Sequence, residues 1–238
     1  MGWSGEVAGV GALTKDWDQY VVEAEAVARR PGFQGLRDQI IARAAPHTED
    51  EAVDIGSGTG LLTLALAERV KHVWALDIAP PMCEYLRVKA ASAGLQNVQA
   101  TVASAISLPL VDESSDLVVS NYCFHHLSDR DKRQALSEAQ RVLRSGGRLV
   151  FGDMMFRPGL GDARDRQVTS GKVRAMLSKG PAGVLRLAKN GARFAAASWE
   201  KPARAGWWEE ALRDAGFCEV EVETLAHEGA VASARKPL

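Results

Sequence analysis

The stretch Val53-Asp54-Ile55-Gly56-Ser57-Gly58-Thr59-Gly60 constrains this chain more than any other. A short apolar run ends in glycines at 56, 58 and 60, and an apolar stretch of helical character follows. Glycine lets a backbone reverse tightly and lets a ligand approach with no Cβ in the way. Asp77 ends the next apolar run, 21 positions after Gly56. A carboxylate there can accept hydrogen bonds from both hydroxyls of a ribose. Strand, glycine turn, helix, strand and acid together describe a nucleoside-binding βαβ unit.

The rest of the chain repeats that rhythm. Short apolar runs at Glu51–Ile55, His72–Asp77, Val98–Val102, Ser115–Asn121 and Arg148–Asp153 read as strands. Leu61–Val70, Pro80–Ala93 and Asp129–Leu143 read as helices between them, with Ser145-Gly146-Gly147 as the C-terminal turn of the last. Strands alternating with helices specify a parallel sheet. Ahead of it, Trp17–Arg30 and Leu36–Ala45 read as helices separated by a Pro31-Gly32 break, behind a Gly-rich arm over residues 1–15. After it come a helix, Trp207–Ala215, and two strands, Phe217–Leu225 and Ala230–Arg235. These predict a terminal antiparallel hairpin whose second strand tucks back into the sheet. The fold class is α/β, Rossmann-like: a seven-stranded, mostly parallel sheet with an antiparallel terminal hairpin and a helical lid insertion. One domain is expected over 1–238, with an N-terminal helical arm (1–45), a cofactor-binding core (51–156), a lid insertion (157–198) and a C-terminal helix and hairpin (199–238).

Composition narrows the function. Hydrophobic residues make up 46% and charged residues 25%, and the formal net charge is −1, so the overall balance implies no polyanionic partner. Three widely spaced cysteines, Cys83, Cys123 and Cys218, form no CxxC pair and argue against a disulfide framework or a structural zinc site. No apolar run reaches membrane-spanning length, and the first residues lack a secretory pattern. A cytoplasmic protein is expected.

The glycine spacing discriminates between nucleotides. A dinucleotide fingerprint needs its third glycine at position 61, which is Leu61. The turn also follows Asp54, and a carboxylate suits an ammonium better than a pyrophosphate. S-adenosylmethionine carries an amino acid at one end and a ribose at the other, matching both acids.

The stretch from Asp54 to Phe151 resembles the class I S-adenosylmethionine-dependent methyltransferases, in particular the ubiquinone/menaquinone-type and related small-molecule group. The resemblance covers about 100 residues in the expected order. It implies S-adenosylmethionine as cofactor and S-adenosylhomocysteine as product. It assigns the methionine amine to Asp54 beside Gly56, Ser57, Gly58 and Gly60, the ribose to Asp77, and the adenine face to Ile78. Asn121 ends the matching fourth strand, Leu108-Pro109 matches the family's Leu-Pro, and Leu143-Arg144-Ser145-Gly146-Gly147 matches its turn into strand five. The family usually has an acid where this chain has Ser104, so the adenine edge falls to that hydroxyl or to the backbone of Ala105. Tyr20, on the N-terminal helix, is placed to reach the methionine carboxylate or to pack in the core.

Methyl transfer from a sulfonium is an in-line displacement, so the protein must align the acceptor and sometimes remove a proton. His125 and His126 follow the fourth strand and Asp153 ends the fifth, where open α/β sheets place their ligand crevice. They are the candidate catalytic residues: base, crevice-shaping or helix-capping residues for the histidines, acceptor ligand or loop cap for Asp153. Trp199, Trp207 and Trp208 are packing residues by default, with one free to line an acceptor site, and Trp17 shares the N-terminal helix with Tyr20. No metal ligand set is expected.

The insertion carries Arg164, Arg166, Lys172, Arg174, Lys179, Arg186, Lys189 and Arg193 against a single acid, Asp165, with Val173, Met176, Leu177, Val184, Leu185 and Leu187 interspersed. Three uses compete: a solvated lid, recognition of an anionic acceptor, or peripheral contact with an anionic membrane to fetch a lipid-like acceptor. No nucleic-acid module is evident, and the chain after strand four reads Asn121-Tyr122-Cys123-Phe124. The expected function is methyl transfer to a small-molecule or lipid-like acceptor. The alternatives are a methyltransferase fold that binds without turnover, and a nicotinamide enzyme whose fingerprint is missing.

Overall fold

The computed structural model describes residues 20–156, 163–178, 180–182, 184–185, 200–225 and 227–238. The arm over 1–15, Trp17 and the predicted start of the first helix fall outside them, as do Lys179, Arg186, Leu187, Lys189, Arg193 and Trp199.

Seven strands form one sheet: β1 (Glu51–Ile55), β2 (His72–Asp77), β3 (Val98–Val102), β4 (Ser115–Asn121), β5 (Leu143–Met154), β6 (Cys218–Thr224) and β7 (Gly229–Arg235). Their order is β3-β2-β1-β4-β5-β7-β6. The first five run parallel, and β7 lies antiparallel between β5 and β6. The hairpin therefore inserts its second strand as expected. The order reverses between β1 and β4, whose register pairs Ile55 with Ser120. Both the glycine turn and the His125 turn leave the sheet at that switch point, where open α/β sheets bind ligands.

Helices cover both faces. α1 (Val21–Ala28), α2 (Pro31–Ala44), α3 (Leu61–Ala67) and α4 (Pro80–Ser92) precede α5 (Asp129–Val142), α6 (Ala163–Leu177) and α7 (Ala205–Asp214). One core joins Val53, Ile55, Val118 and Phe151 to Leu136 of α5 and Trp208 of α7. The other joins Ala52, Leu117 and Val119 to Leu36 and Ile40 of α2 and Leu62 and Leu66 of α3. The central strands are thus buried on both faces, which accounts for their nearly continuous apolar sequences.

Two boundaries differ most from the sequence expectation. Pro31-Gly32 opens α2, with Pro31 in its first turn, because proline's missing N–H is no loss there. Leu143–Gly147 begins strand β5, although Gly146 keeps a φ of 75°. α5 stops where Leu143 turns extended and pairs with Ser115, burying its side chain completely. Among the described residues, no helix is long and apolar enough to cross a membrane.

Candidate active site

Asp54 is the last but one residue of β1 and is 1% exposed. Thr63, on the first turn of α3, donates its hydroxyl to Asp54 Oδ2 at 2.6 Å. Burial pushes the Asp54 carboxyl up to about 7, with the nearby Asp77 charge adding to the rise and Thr63 opposing it. Sequence reasoning missed Thr63; the available signal was a hydroxyl on the buried face of a short apolar helix.

The glycine turn is fastened to β2, since the N–H groups of Gly56 and Ser57 both donate to Leu76 O, at 2.8 and 3.0 Å. All three glycines have left-handed φ values, 73°, 51° and 86°. Their surroundings differ. A Cβ on Gly56 would collide with the Cys123 side chain and one on Gly60 with Leu86, whereas one on Gly58 would meet nothing within 4 Å. Packing excludes a side chain at Gly56, at Gly60 the collision is with the movable end of Leu86, and Gly58 presents bare backbone to open space.

Asp77 closes the turn. Its Oδ2 accepts the Gly58 N–H at 2.8 Å and its Oδ1 accepts the Ala79 N–H at 2.9 Å. Burial raises this carboxyl, against the backbone donors Ala79, Gly58 and Ile78. Beside it Ile78 is 49% exposed, and Val102, the register partner of Asp77 on β3, is 46% exposed. Two apolar side chains thus stand exposed beside Asp77. Ser104 accepts the Ile106 N–H on its Oγ at 3.4 Å, and its carbonyl accepts the Ser107 N–H at 3.1 Å, so it shapes the turn after β3. Ala105 packs on the main core.

Whether S-adenosylmethionine fits can be tested on groups left unsatisfied. Ser57 Oγ and Asn121 Oδ1 are buried with no hydrogen-bond partner among the described residues. Buried polar atoms are normally paired, so these two, at the turn and at the end of β4, are left available to a ligand. Together with the unneutralised Asp54 and the open face of Gly58, they fit a ligand bearing an ammonium, a carboxylate and a ribose. Tyr20 heads α1, and α1 is latched to the turn: Glu25 pairs with Lys89 at 2.7 Å, and Lys89 also donates to Thr59 O at 3.0 Å.

The residues offered as catalytic candidates start where β4 ends. Tyr122 has a φ of 53°, uncommon for a bulky side chain, and its ring lies 4.5 Å from that of Phe33. A 3-10 turn over Phe124–His126 follows. Phe124 is anchored in the core against Phe151 and Trp208. His125 is 5% exposed, and Asp153, at the end of the neighbouring strand, is 1% exposed. The His125 N–H donates to Asp153 Oδ2 at 2.9 Å, and His125 Nδ1 lies 2.6 Å from Asp153 Oδ1. The structure thus joins two residues that the sequence had offered separately. The His126 ring lies 3.9 Å from that of His125. Neither histidine caps α5; Ser128 does, accepting the Asp131 N–H.

Outside the crevice, Trp208 is a core residue, and Trp207 lies under Lys132 and Arg133. On α6, Arg164 binds the carbonyls of Met155, Leu225, His227 and Gly229, and Asp165 pairs with Arg204. Part of the insertion's charge therefore fastens it to the terminal hairpin.

A family model described as a methyltransferase domain matches residues 53–151, the span from the glycine turn to β5. An uncharacterized methyltransferase of Geobacillus thermodenitrificans is 35% identical over 128 residues, 54% of this chain and 57% of that protein. Another, from Geobacillus sp. strain WCH70, is 31% identical over 148 residues, 61% of this chain and 67% of that protein. The match spans little more than half the length of most such relatives. In fold, the chain is similar to a SAM-dependent methyltransferase from Aquifex aeolicus, with a TM-score of 0.63 and 18% identity, covering 90% of this chain and 97% of that one.

Proposed function

As a member of the class I S-adenosylmethionine-dependent methyltransferases, the chain is one that we propose transfers the methyl group of S-adenosylmethionine to a small-molecule or lipid-like acceptor. One observation carries the cofactor reading: a fully buried carboxylate, Asp54, sits beside a second, Asp77, with no cation against it among the described residues. An ammonium in contact with Asp54 offsets that burial. Asp77 takes the ribose hydroxyls while holding the Gly58 N–H. Ile78 covers the adenine. Ser57 and Asn121 satisfy their orphan atoms on the ligand, with Gly56, Gly58 and Gly60 shaping the floor. Tyr20 approaches from the latched helix, and the Ser104–Ala105 turn borders the adenine edge. The cofactor supplies an activated methyl group, and the protein supplies alignment and water exclusion. The acceptor enters over Tyr122, His125 and His126.

Calorimetric titration of the purified protein with S-adenosylmethionine and, separately, NAD tests this. Micromolar binding of the first and none of the second is expected. Tight NAD binding would reverse the assignment. One observation favours the second reading, a methyltransferase fold that binds without turnover: Ser104 stands where the resemblance places an acid, and its hydroxyl is engaged in its own turn. Transfer of label from methyl-labelled cofactor to any acceptor excludes that reading.

A further inference from the structure

We infer that the exposed face of α6, together with the turn that follows it, is a docking surface for an anionic lipid bilayer. The inference goes beyond the methyl-transfer reading and does not depend on it.

Charge is divided unevenly along the chain. Residues 163–199 hold eight Lys or Arg against one Asp, and the remaining residues hold 21 against 29. The net charge of −1 thus joins a segment of formal charge +7 to a body of −8. An anionic surface repels such a body and attracts the segment, which orients the approach. From Arg166 to Trp199 the sequence has no acidic residue, whereas a solvated helix face ordinarily mixes both signs.

The structure separates the charges that hold the fold from those that face outward. Arg164 is taken up by four backbone carbonyls, and Asp165, 3% exposed, by Arg204. One of those carbonyls belongs to Met155, just beyond Asp153, so α6 is rooted at the crevice end of β5. Val168 is buried on the same side as Asp165. Arg166, Ser170, Arg174 and Leu177 are exposed, and their spacing places them along one stripe of the helix.

That stripe ends in an apolar tip. The Gly180 N–H donates to Leu177 O at 3.1 Å and the Val184 N–H to Gly180 O at 3.2 Å, so the chain turns tightly at Gly180-Pro181. Leu177, before the turn, is 49% exposed, and Val184 and Leu185, after it, are 51% and 72% exposed. Large apolar side chains left in water beside a basic stripe match the two layers of a bilayer surface. Lipid phosphates take the guanidinium groups, and the acyl boundary beneath them takes Leu177, Val184 and Leu185. A nucleic acid matches the charge but has no apolar layer for the tip. A free phosphate satisfies an arginine and leaves the tip in water.

Flotation of the full chain with vesicles tests the inference. Vesicles of phosphatidylcholine mixed with phosphatidylglycerol should bind the protein roughly tenfold or more tightly than phosphatidylcholine alone, and high salt should release it. Arg166→Ala combined with Arg174→Ala should weaken that binding roughly tenfold or more. Leu185→Asn, which leaves the charge unchanged, should weaken it roughly fivefold or more, because the tip inserts. These variants should keep the unfolding midpoint and the S-adenosylmethionine affinity of the wild type, so that lost flotation reports on the surface alone. Inorganic phosphate at matched ionic strength should leave flotation unchanged. Equal binding to both kinds of vesicle, or binding to neither, overturns the proposal. So does flotation that survives the paired arginine substitutions or Leu185→Asn, displacement by inorganic phosphate, or tighter binding to a short DNA duplex than to the anionic vesicles.

Discussion

Gly58 donates its backbone N–H to Asp77 Oδ2 at 2.8 Å, so the second glycine of the turn and the acid ending β2 form one unit. The acid proposed to hold the ribose also sets the shape of the loop beneath it. Asp77→Ala removes the ribose acceptor and frees the Gly58 and Ala79 N–H groups together. Cofactor affinity should fall by about 1–3 kcal/mol, and stability should fall by a smaller amount because the freed donors can reach water. Calorimetry and thermal unfolding read the two effects separately. Unchanged affinity in a folded variant would show that the ribose lies elsewhere.

Asp54 predicts a pH dependence. Its carboxyl is raised by burial from an ordinary 3.8 to about 7. A raised folded-state value means that the protonated form is the one the fold favours. The group's contribution is therefore fully present below about pH 4 and is lost as pH rises to 7, a swing on the order of 4 kcal/mol. The ligand-free protein should lose stability over that window relative to Asp54→Asn, which cannot ionise. Cofactor binding has the opposite sign. An ammonium contact requires the ionised carboxylate, so at pH 6 binding should release about one proton. Calorimetry in buffers of different ionisation enthalpy measures that release. Equal release by wild type and Asp54→Asn would remove Asp54 from the amine site.

The three glycines should respond differently to alanine. At Gly58 the added methyl meets nothing within 4 Å, so the cost to the fold is the left-handed backbone alone, about 1–2 kcal/mol. The methyl does occupy the open space above the turn, and cofactor affinity should drop at least tenfold, a change of about 1.4 kcal/mol. At Gly56 the methyl collides with Cys123, and overpacking adds to the backbone strain for a total of roughly 2–5 kcal/mol. Thermal unfolding should rank Gly56→Ala well below Gly58→Ala. The reverse ranking would contradict the packing described for Gly56.

Local features were legible in the sequence because short-range chemistry fixes them. Glycines 56, 58 and 60, the acid Asp77 and the alternation of apolar runs each act within one βαβ unit. Elements set by distant pairing were not legible. Leu143–Gly147 looks like a helix end, and only β4 alongside makes it a strand. Pro31 looks like a break until its helix is seen to start there. His125 and Asp153 were each visible as candidates, but their contact spans 28 residues and needs β4 beside β5. The left-handed backbone of Tyr122 left no trace, since tyrosine is not a residue that signals such a turn.

Lys132 is the least predictable residue near the crevice, a lysine with no exposure on α5. Its ammonium donates to Asp129 Oδ1 at 2.8 Å and to Lys201 O at 2.6 Å, with the Trp207 ring 5.5 Å away. Lys201, where the chain returns from the insertion, is thereby held from both sides, its carbonyl on Lys132 and its N–H on His125 O. Lys132→Met keeps the volume of the stem and removes the donor, leaving the Lys201 carbonyl without a partner. Stability should fall by about 1–3 kcal/mol, or several degrees in the unfolding midpoint for a chain of this size. The exposed partner Asp129 contributes little to that figure, because its charge is screened by water. If the clamp also holds His125 in register, turnover should slow while the KM for S-adenosylmethionine stays constant, because no cofactor-binding group has moved. An unfolding midpoint that falls with turnover per folded molecule intact would make the clamp a fastening for the returning chain, with no part in positioning His125.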